Sequence, residues 1–156
     1  MTEQDWHVAL FNIARAVAPL DDPILAEFMG SLDRINARAD QTDGLIWRFQ
    51  TESGNATEER AYPDDRVIIN LSVWRDIESL REFTYRGDHA EIMRRRREWF
   101  ERMTETYLVL WWVRAGTIPS VSDAKSRLAY VRQFGLSSQG FNFQERYPPP
   151  LPNESR

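Results

Sequence analysis

Residues 66–113, RVIINLSVWRDIESLREFTYRGDHAEIMRRRREWFERMTETYLVLWWV, decide the fold of this chain. Residues 66–74 are rich in β-branched side chains and alternate apolar with mixed positions, which predicts a strand. Residues 107–114 are apolar and aromatic and predict a second strand. The stretch is therefore interpreted as strand, interrupted helix, strand.

The helical part of this stretch has two pieces. Asp76 predicts an N-cap for the first piece. Its apolar stripe has three members at helical spacing: Ile77, Leu80 and Phe83. Gly87 interrupts the helix, and Asp88 with Glu91 three residues later predicts a new cap with a box-type partner. The second piece is predicted to reach about Met103.

The first part of the chain repeats this order. Residues 6–16 predict a strand, and Asp22 followed by proline predicts the start of a helix at 23–39. A second strand is predicted at 45–51 and a polar hairpin loop at 53–65. The whole order is βαββαβ, an α+β fold of the ferredoxin-like type with an antiparallel sheet.

A third helix follows the last strand. Ser120 and Asp123 have capping-box spacing, and Gly135 is a suitable C-terminal residue. The Pro-rich end of the chain predicts an extended or disordered segment. We predict a ferredoxin-like α+β-barrel domain at 1–118, with a C-terminal helix and Pro-rich tail at 119–156 packed on it.

Composition excludes several classes of protein. The chain has 156 residues and a net charge of −4, so no basic field favours nucleic acid. The absence of cysteine excludes disulfides and thiolate ligands or nucleophiles. The N-terminus lacks a basic leader with an apolar core, and no run approaches the roughly 20 apolar residues of a membrane span. We expect a cytoplasmic protein that binds neither nucleic acid nor a membrane.

The strand at 66–74 is apolar on both alternating sets of positions, as expected when both faces of a sheet are buried. The helices of a split βαβ unit cover only one face. A second copy of the chain is the predicted cover for the other face, which gives a homodimer through the sheet and a dimeric α+β barrel. The alternative is a monomer whose third helix covers that face.

The segment NLSVWRDIESLREFTYRGDHAEIMRRRREWFERM resembles a signature of dimeric α+β-barrel proteins, which include the antibiotic-biosynthesis-monooxygenase-like proteins. In that signature a Trp ends a strand and a His follows about fifteen residues later, as Trp74 and His89 do here. FNIARAVAPLDDP, GLIWRFQTESGNAT, YRGDHAEIMRRRREWF and LVLWWV resemble more closely an uncharacterised bacterial family of that superfamily. The likeness covers roughly residues 6–118 and extends to FNFQERYPPP.

The resemblance implies a ligand site between the sheet and the helices. It implies that His89, Asn12 and Trp74 are the candidate catalytic residues. Haem-degrading members have a second Trp where this chain has Phe83, and an iron-ligating His near the position of Met93. This departure argues against haem degradation of that type.

Spacing leaves two interpretations of His89. It shares a helical face with Ile92 and Met93. An imidazole titrates near neutrality, so His89 could act as a base, donor or ligand in a pocket. Otherwise it is a first-turn histidine bonded to the backbone or to Asp88.

Aromatic and amide side chains suit a planar oxygenated ligand. The candidate substrate-binding residues are Tyr85, Asn70, Trp47, Arg96, Trp99 and Trp112. Arg96 could bind an anionic or enolate oxygen, or extend past the core to solvent. Trp111 and Trp112 are adjacent and must point to opposite faces of the sheet. The two histidines have no metal-ligand spacing, and we predict no metal and no cofactor.

Three functions remain open. The first is a monooxygenase-like enzyme that acts without metal on a small aromatic or polyketide-like compound. There, His89 would be the base, Asn12 and Trp74 would hold an oxyanion or dioxygen, and Tyr85 would orient the substrate. The second is a non-catalytic small-molecule-binding protein that uses the same pocket. The third is a haem-binding protein with His89 as the axial ligand.

Overall fold

The computed structural model describes residues 5–50 and 61–150. Within them the strands are β1 (Trp6–Arg15), β2 (Leu45–Arg48), β3 (Val67–Trp74) and β4 (Leu108–Arg114). They form an antiparallel sheet in the order β2–β3–β1–β4. This is the strand order of a ferredoxin-like βαββαβ unit, and the predicted fold class is confirmed. The predicted loop at 53–65 falls largely outside the described residues.

Two of the four helices start at their predicted caps, and Asp22 caps the 3-10 turn Pro23–Leu25 that leads into the helix following it. The helices are α1 (Ala26–Gln41), α2 (Ile77–Tyr85), α3 (Gly87–Arg94) and α4 (Val121–Phe134). Asp22 accepts from the Ile24 N–H just before α1, and Asp76 caps α2. Ser120 forms the predicted capping box at α4. No helix among the described residues is long and apolar enough to cross a membrane.

The start of α3 differs from the prediction. Arg86, in extended backbone, is the N-cap of this helix, and it makes no side-chain cap bond. Gly87 is the first helical residue, so the prediction that Asp88 caps the second piece is wrong. The reason is the positive φ of Gly87, +65°, which turns the chain one residue earlier than the predicted cap.

The end of α3 also differs. The helix stops at Arg94, and a 3-10 turn at Arg96–Glu98 follows it. The prediction of a helix reaching Met103 is therefore wrong. The cause is pairing with the end of β1: the Trp99 carbonyl accepts from the Val17 N–H, and the Glu101 N–H donates to the β1 carbonyl of residue 15. Together with the bridge between Ala16 and Phe100, these bonds use main-chain groups that a continuing helix would need for its own ladder.

One face of the sheet is covered by α4. Its side chains form a single buried cluster with that helix: Ala9, Phe11, Ile13, Ile69, Leu71, Val73, Val109, Trp111, Val113, Ala124, Leu128 and Val131. Within the protomer, the third helix covers the face for which a second copy was the predicted cover, as in the alternative interpretation. A homodimer stays a prediction.

The opposite face packs against α1, α2 and α3 in two clusters. The first, called the α2 cluster, consists of Val8, Leu10, Trp74, Ile77, Leu80, Leu110 and Phe141. The second, called the Trp99 cluster, consists of Ala16, Leu25, Phe28, Trp99 and Phe100, with Ala14, Ile68 and Ile92 packed against it. We call this face the helix side of the sheet.

The segment after α4 joins the edge of β4. The main chains of Leu110 and Phe141 exchange two hydrogen bonds, and the Phe141 ring is completely buried in the α2 cluster. Gly140 makes this approach possible, because a Cβ there would lie 2.5 Å from a methyl carbon of Val131 and 2.8 Å from one of Val109. The tail therefore packs on both α4 and the sheet.

Candidate functional site

Two asparagines interrupt the apolar helix side of the sheet. Asn12 on β1 lies directly opposite Asn70 on β3, so their side chains are neighbours on one face. On β1, Leu10 precedes Asn12 on this face and belongs to the α2 cluster, whereas Ala14 follows and packs on the Trp99 cluster. The two amides therefore occupy a polar gap between the two clusters.

The gap is open to a ligand. Asn70 is exposed, and it lies on β3 beyond the residues of that strand that pair with β2. The Oδ1 atom of Asn12 is buried and has no hydrogen-bond partner among the described residues. An unpaired buried polar group costs about 1–3 kcal/mol, so a hydrogen-bond donor arriving at Asn12 would be stabilised there.

His89 is held by the end of α2. Its Nδ1 lies 2.9 Å from the carbonyl oxygen of Thr84. A carbonyl can only accept, so Nδ1 carries a proton and donates. Burial lowers the pKa of the ring and favours its neutral form, in which Nε2 carries the lone pair. Nε2 has no hydrogen-bond partner in the described part of the chain. His89 is thus a neutral imidazole with a free basic nitrogen.

The His89 ring ends a row of three aromatic rings. Its centroid is 5.1 Å from that of Phe83, which in turn is 5.3 Å from that of Trp74. The Trp74 indole N–H donates to the Ser72 hydroxyl at 2.9 Å, and Trp74 is 2% exposed. Trp74 therefore supports His89 through Phe83, because its own N–H is already bound within the sheet.

His89 and the asparagine pair occupy matching positions. Phe83 packs on the α2 cluster and Ile92 packs on the Trp99 cluster, and His89 lies between them in the sequence. The asparagine pair lies between the same two clusters on the sheet. His89 is therefore a neutral base in the helix layer, and the two amides are on the sheet face that this layer covers.

Burial lowers the pKa of His89, and the hydrogen bond to the Thr84 carbonyl offsets part of that effect. The pKa in the unfolded chain is about 6.5. The unfolded chain therefore binds more protons between the two pKa values, and stability falls as the pH drops from about 6.5 through the folded pKa. We expect a slope of at most about 1.4 kcal/mol per pH unit, the limit for one proton.

Urea unfolding of the wild type and of His89→Gln, measured between about pH 5 and pH 8, checks this expectation. The glutamine variant should lose this part of the pH dependence. Arginine partners lower the pKa of carboxylates such as those of Asp40 and Glu98. Their contribution to the pH dependence of stability therefore falls at lower pH than that of His89. Equal slopes in the two proteins would contradict the assigned state of His89.

Two predicted ligand contacts lie elsewhere. Trp47 packs on the α4 side of the sheet, beside Phe49 at 6.4 Å, and so it is on the face opposite His89. Trp99 is 2% exposed at the centre of its cluster, tilted against Phe28 and lying under the Arg95 guanidinium. Both rings are part of the packing, and neither reaches the polar gap.

The remaining predicted contacts lie at the margins. Trp112 is on the helix side, but its indole N–H donates to the Tyr147 carbonyl at 2.8 Å. Tyr85 is 48% exposed and packs edge-on against Phe143. Arg96 is half-buried in the turn after α3, not on the helix itself.

Sequence reasoning missed two features of the site. The first is which carbonyl accepts from His89: the interpretation of His89 as a first-turn histidine bonded to the backbone agrees with the structure, but Thr84 was not identified. The glycine three residues after Thr84 was the available signal, because a helix break frees carbonyls. The second is the contact of Trp112 with Phe141 and Tyr147, because the tail was predicted to pack on the domain but not at this position. Within residues 5–50 and 61–150, no three His, Asp or Glu side chains are grouped as metal ligands.

A family model described as a domain of unknown function, DUF3291, matches residues 7–156. This agrees with the predicted membership of an uncharacterised family; that the family is bacterial stays a prediction. No curated protein matches the chain.

Solved structures of low sequence identity resemble the chain in fold. SnoaB, a cofactor-independent oxygenase from Streptomyces nogalater, is 20% identical, with 73% of this chain and 98% of that chain covered and a TM-score of 0.48. PA3566 from Pseudomonas aeruginosa is 12% identical, with 71% and 95% covered and a TM-score of 0.48. A candidate antibiotic biosynthesis monooxygenase from Nitrosomonas europaea is 7% identical, with 77% and 98% covered and a TM-score of 0.48.

Proposed function

The chain belongs to the DUF3291 family, a domain family of unknown function, and from its site we propose that it is a monooxygenase-like enzyme acting without metal on a small aromatic or polyketide-like compound. The observation that carries the proposal is His89, a neutral half-buried imidazole whose Nδ1 is occupied by the Thr84 carbonyl. This leaves Nε2 as a base.

The proposed reaction needs only the substrate, dioxygen and the protein. Nε2 of His89 accepts the proton of a phenol, an enol or an acidic CH₂ group, which leaves an enolate. The enolate carbon donates electrons to dioxygen, a C–O bond forms, and the resulting peroxide anion takes the proton back from the His89 imidazolium to give a hydroperoxide. Loss of water from the hydroperoxide then converts CH₂ to C=O. The substrate supplies all the electrons, and one oxygen atom leaves as water.

Asn12 and Asn70 have the complementary role. Their amides lie side by side on the sheet, and the Asn12 Oδ1 lacks a partner among the described residues. They would orient the hydroxyl or carbonyl groups of the bound compound. Trp74 would act indirectly, by fixing Phe83 against the His89 ring.

A hydroxyanthrone tests the proposal, because it combines a phenol with an acidic CH₂ group. Oxygen uptake and quinone absorbance are followed for the wild type, for His89→Gln, and for His7→Gln as the matched imidazole-to-amide control. A positioned general base contributes about 10²–10⁴-fold, so His89→Gln should lose that factor while His7→Gln keeps the wild-type rate.

The affinity of the same probe is measured by fluorescence titration. If His89→Gln turned over the substrate as fast as the wild type, His89 would not be the general base. A wild type that binds the hydroxyanthrone with no oxygen uptake would instead favour the non-catalytic binding protein. A Soret band after addition of haemin that is lost in His89→Gln would favour the haem-binding protein.

A further inference from the structure

We infer that the helix break at Gly87 sets the protonation site of His89, and that Gly87 is thereby a positioning residue of the site. The inference deepens the proposed function, and its importance for catalysis rests on that function. The interruption between α2 and α3 is the feature that makes Nε2, and not Nδ1, the basic nitrogen.

The break frees the acceptor. In a continuous helix the Thr84 carbonyl would accept from the main-chain N–H four residues later. The backbone at Arg86 is extended, with φ −132° and ψ 156°, so the ladder of α2 cannot continue past it. The Thr84 carbonyl accepts from His89 Nδ1 instead.

The break also orients the donor, the Nδ1–H group of His89. Side chains on a helix tilt toward its N-terminus. His89 is the third residue of α3, which begins at Gly87 immediately after the end of α2. Its ring therefore reaches back to the last turn of α2. In an unbroken helix, a residue five positions after Thr84 would lie on a different face.

The acceptor itself is fixed in place. Thr84 is 8% exposed, and its hydroxyl donates to the Leu80 carbonyl at 2.8 Å. Phe83, the residue before it, packs against both Trp74 and the His89 ring. The carbonyl thus belongs to a buried turn, which holds the imidazole in one orientation and leaves Nε2 free of partners among the described residues.

Position 87 favours glycine because of its backbone angle and not because of a lack of space for a side chain. Its φ of +65° is a left-handed conformation that L residues other than Asn and Asp rarely adopt. A Cβ at this position would meet only an Arg38 guanidinium nitrogen at 3.5 Å, an ordinary contact. Gly87→Ala therefore perturbs the turn without a steric clash, and Gly87→Asn is the conservative variant that retains it.

The experiment is nitrogen NMR of the ligand-free protein with ¹⁵N-labelled histidine. The chain has two histidines, and His7→Gln assigns the signals. In the wild type we expect a single neutral tautomer of His89, with a protonated Nδ1 and an unprotonated Nε2. In Gly87→Ala we expect both tautomers, together with a lower His89 pKa because the bond to Thr84 is weakened. Gly87→Asn should restore the wild-type spectrum.

Gly116→Ala is the matched control. Gly116 has a φ of +91°, and a Cβ added there would meet no atom of the described residues within 4 Å. The change therefore carries a similar backbone strain away from the site. Its His89 signals should equal those of the wild type. A wild type with the proton on Nε2 would overturn the inference, as would a folded Gly87→Ala with an unchanged tautomer and pKa.

The outcome is separate from that of the proposed function, because the spectra need no substrate. A wild-type Nδ1–H tautomer together with unchanged turnover in His89→Gln would remove the enzyme proposal alone. Loss of turnover in His89→Gln together with an unchanged spectrum in Gly87→Ala would remove the role of Gly87 alone.

Discussion

Replacing Trp99 with alanine is expected to lower the free energy of unfolding by about 3–5 kcal/mol, the range for deleting a buried large aromatic side chain. The Trp99 ring is 2% exposed and lies 5.6 Å from the ring of Phe28. The Arg95 guanidinium lies 4.7 Å above it and would lose that contact. Urea denaturation at neutral pH measures the change.

Tyr85→Ala is the control for this prediction. Tyr85 is also an aromatic residue that the sequence favours as a ligand contact, but its ring is 48% exposed. Surface substitutions usually change stability by less than about 1 kcal/mol. A Trp99→Ala protein as stable as Tyr85→Ala would show that Trp99 is not part of the core, and would restore it as a candidate ligand contact.

Replacing Leu128 with alanine is expected to cost about 2–5 kcal/mol, because it removes the centre of the contact between α4 and the sheet. Leu128 is 1% exposed and belongs to the same cluster as Phe11, Leu71 and Trp111. Its removal would leave a cavity between α4 and the middle strands of the sheet, β3 and β1. Thermal and urea unfolding measure the loss.

Phe134→Ala on the same helix is the matched control. Phe134 is 64% exposed and lies at the last position of α4, so its loss should change stability by less than about 1 kcal/mol. If Leu128→Ala were equally mild, α4 would not stabilise the sheet. The face it covers would then need another partner, as in the predicted homodimer.

The elements of the fold could be predicted because their signals are local. Strand alternation in β1 and β3, the Asp76 cap and the Ser120 capping box each involve residues a few positions apart. The end of α3 could not be predicted in this way. Residues 92–103 carry helical spacing, but main-chain bonds tie residues 99–101 to the end of β1 and the residues just after it.

The candidate site was predictable in part. The resemblance brought together Asn12, Trp74 and His89, and all three lie on the helix side of the sheet or in the helix layer above it. Their roles were not predictable, because hydrogen-bond partners are set by packing. Ser72 takes the N–H of Trp74, which leaves no donor there for an oxyanion.

The sequence by itself determined the βαββαβ order, the positions of the strands and most caps, because periodicity and capping act over a few residues. The tertiary structure alone decided what covers each face of the sheet. It turned Trp111 toward α4 and Trp112 toward the tail, and it brought the Thr84 carbonyl to His89 Nδ1. Those outcomes depend on contacts between segments distant in the chain or on the turn at a helix break, and residue spacing does not record them.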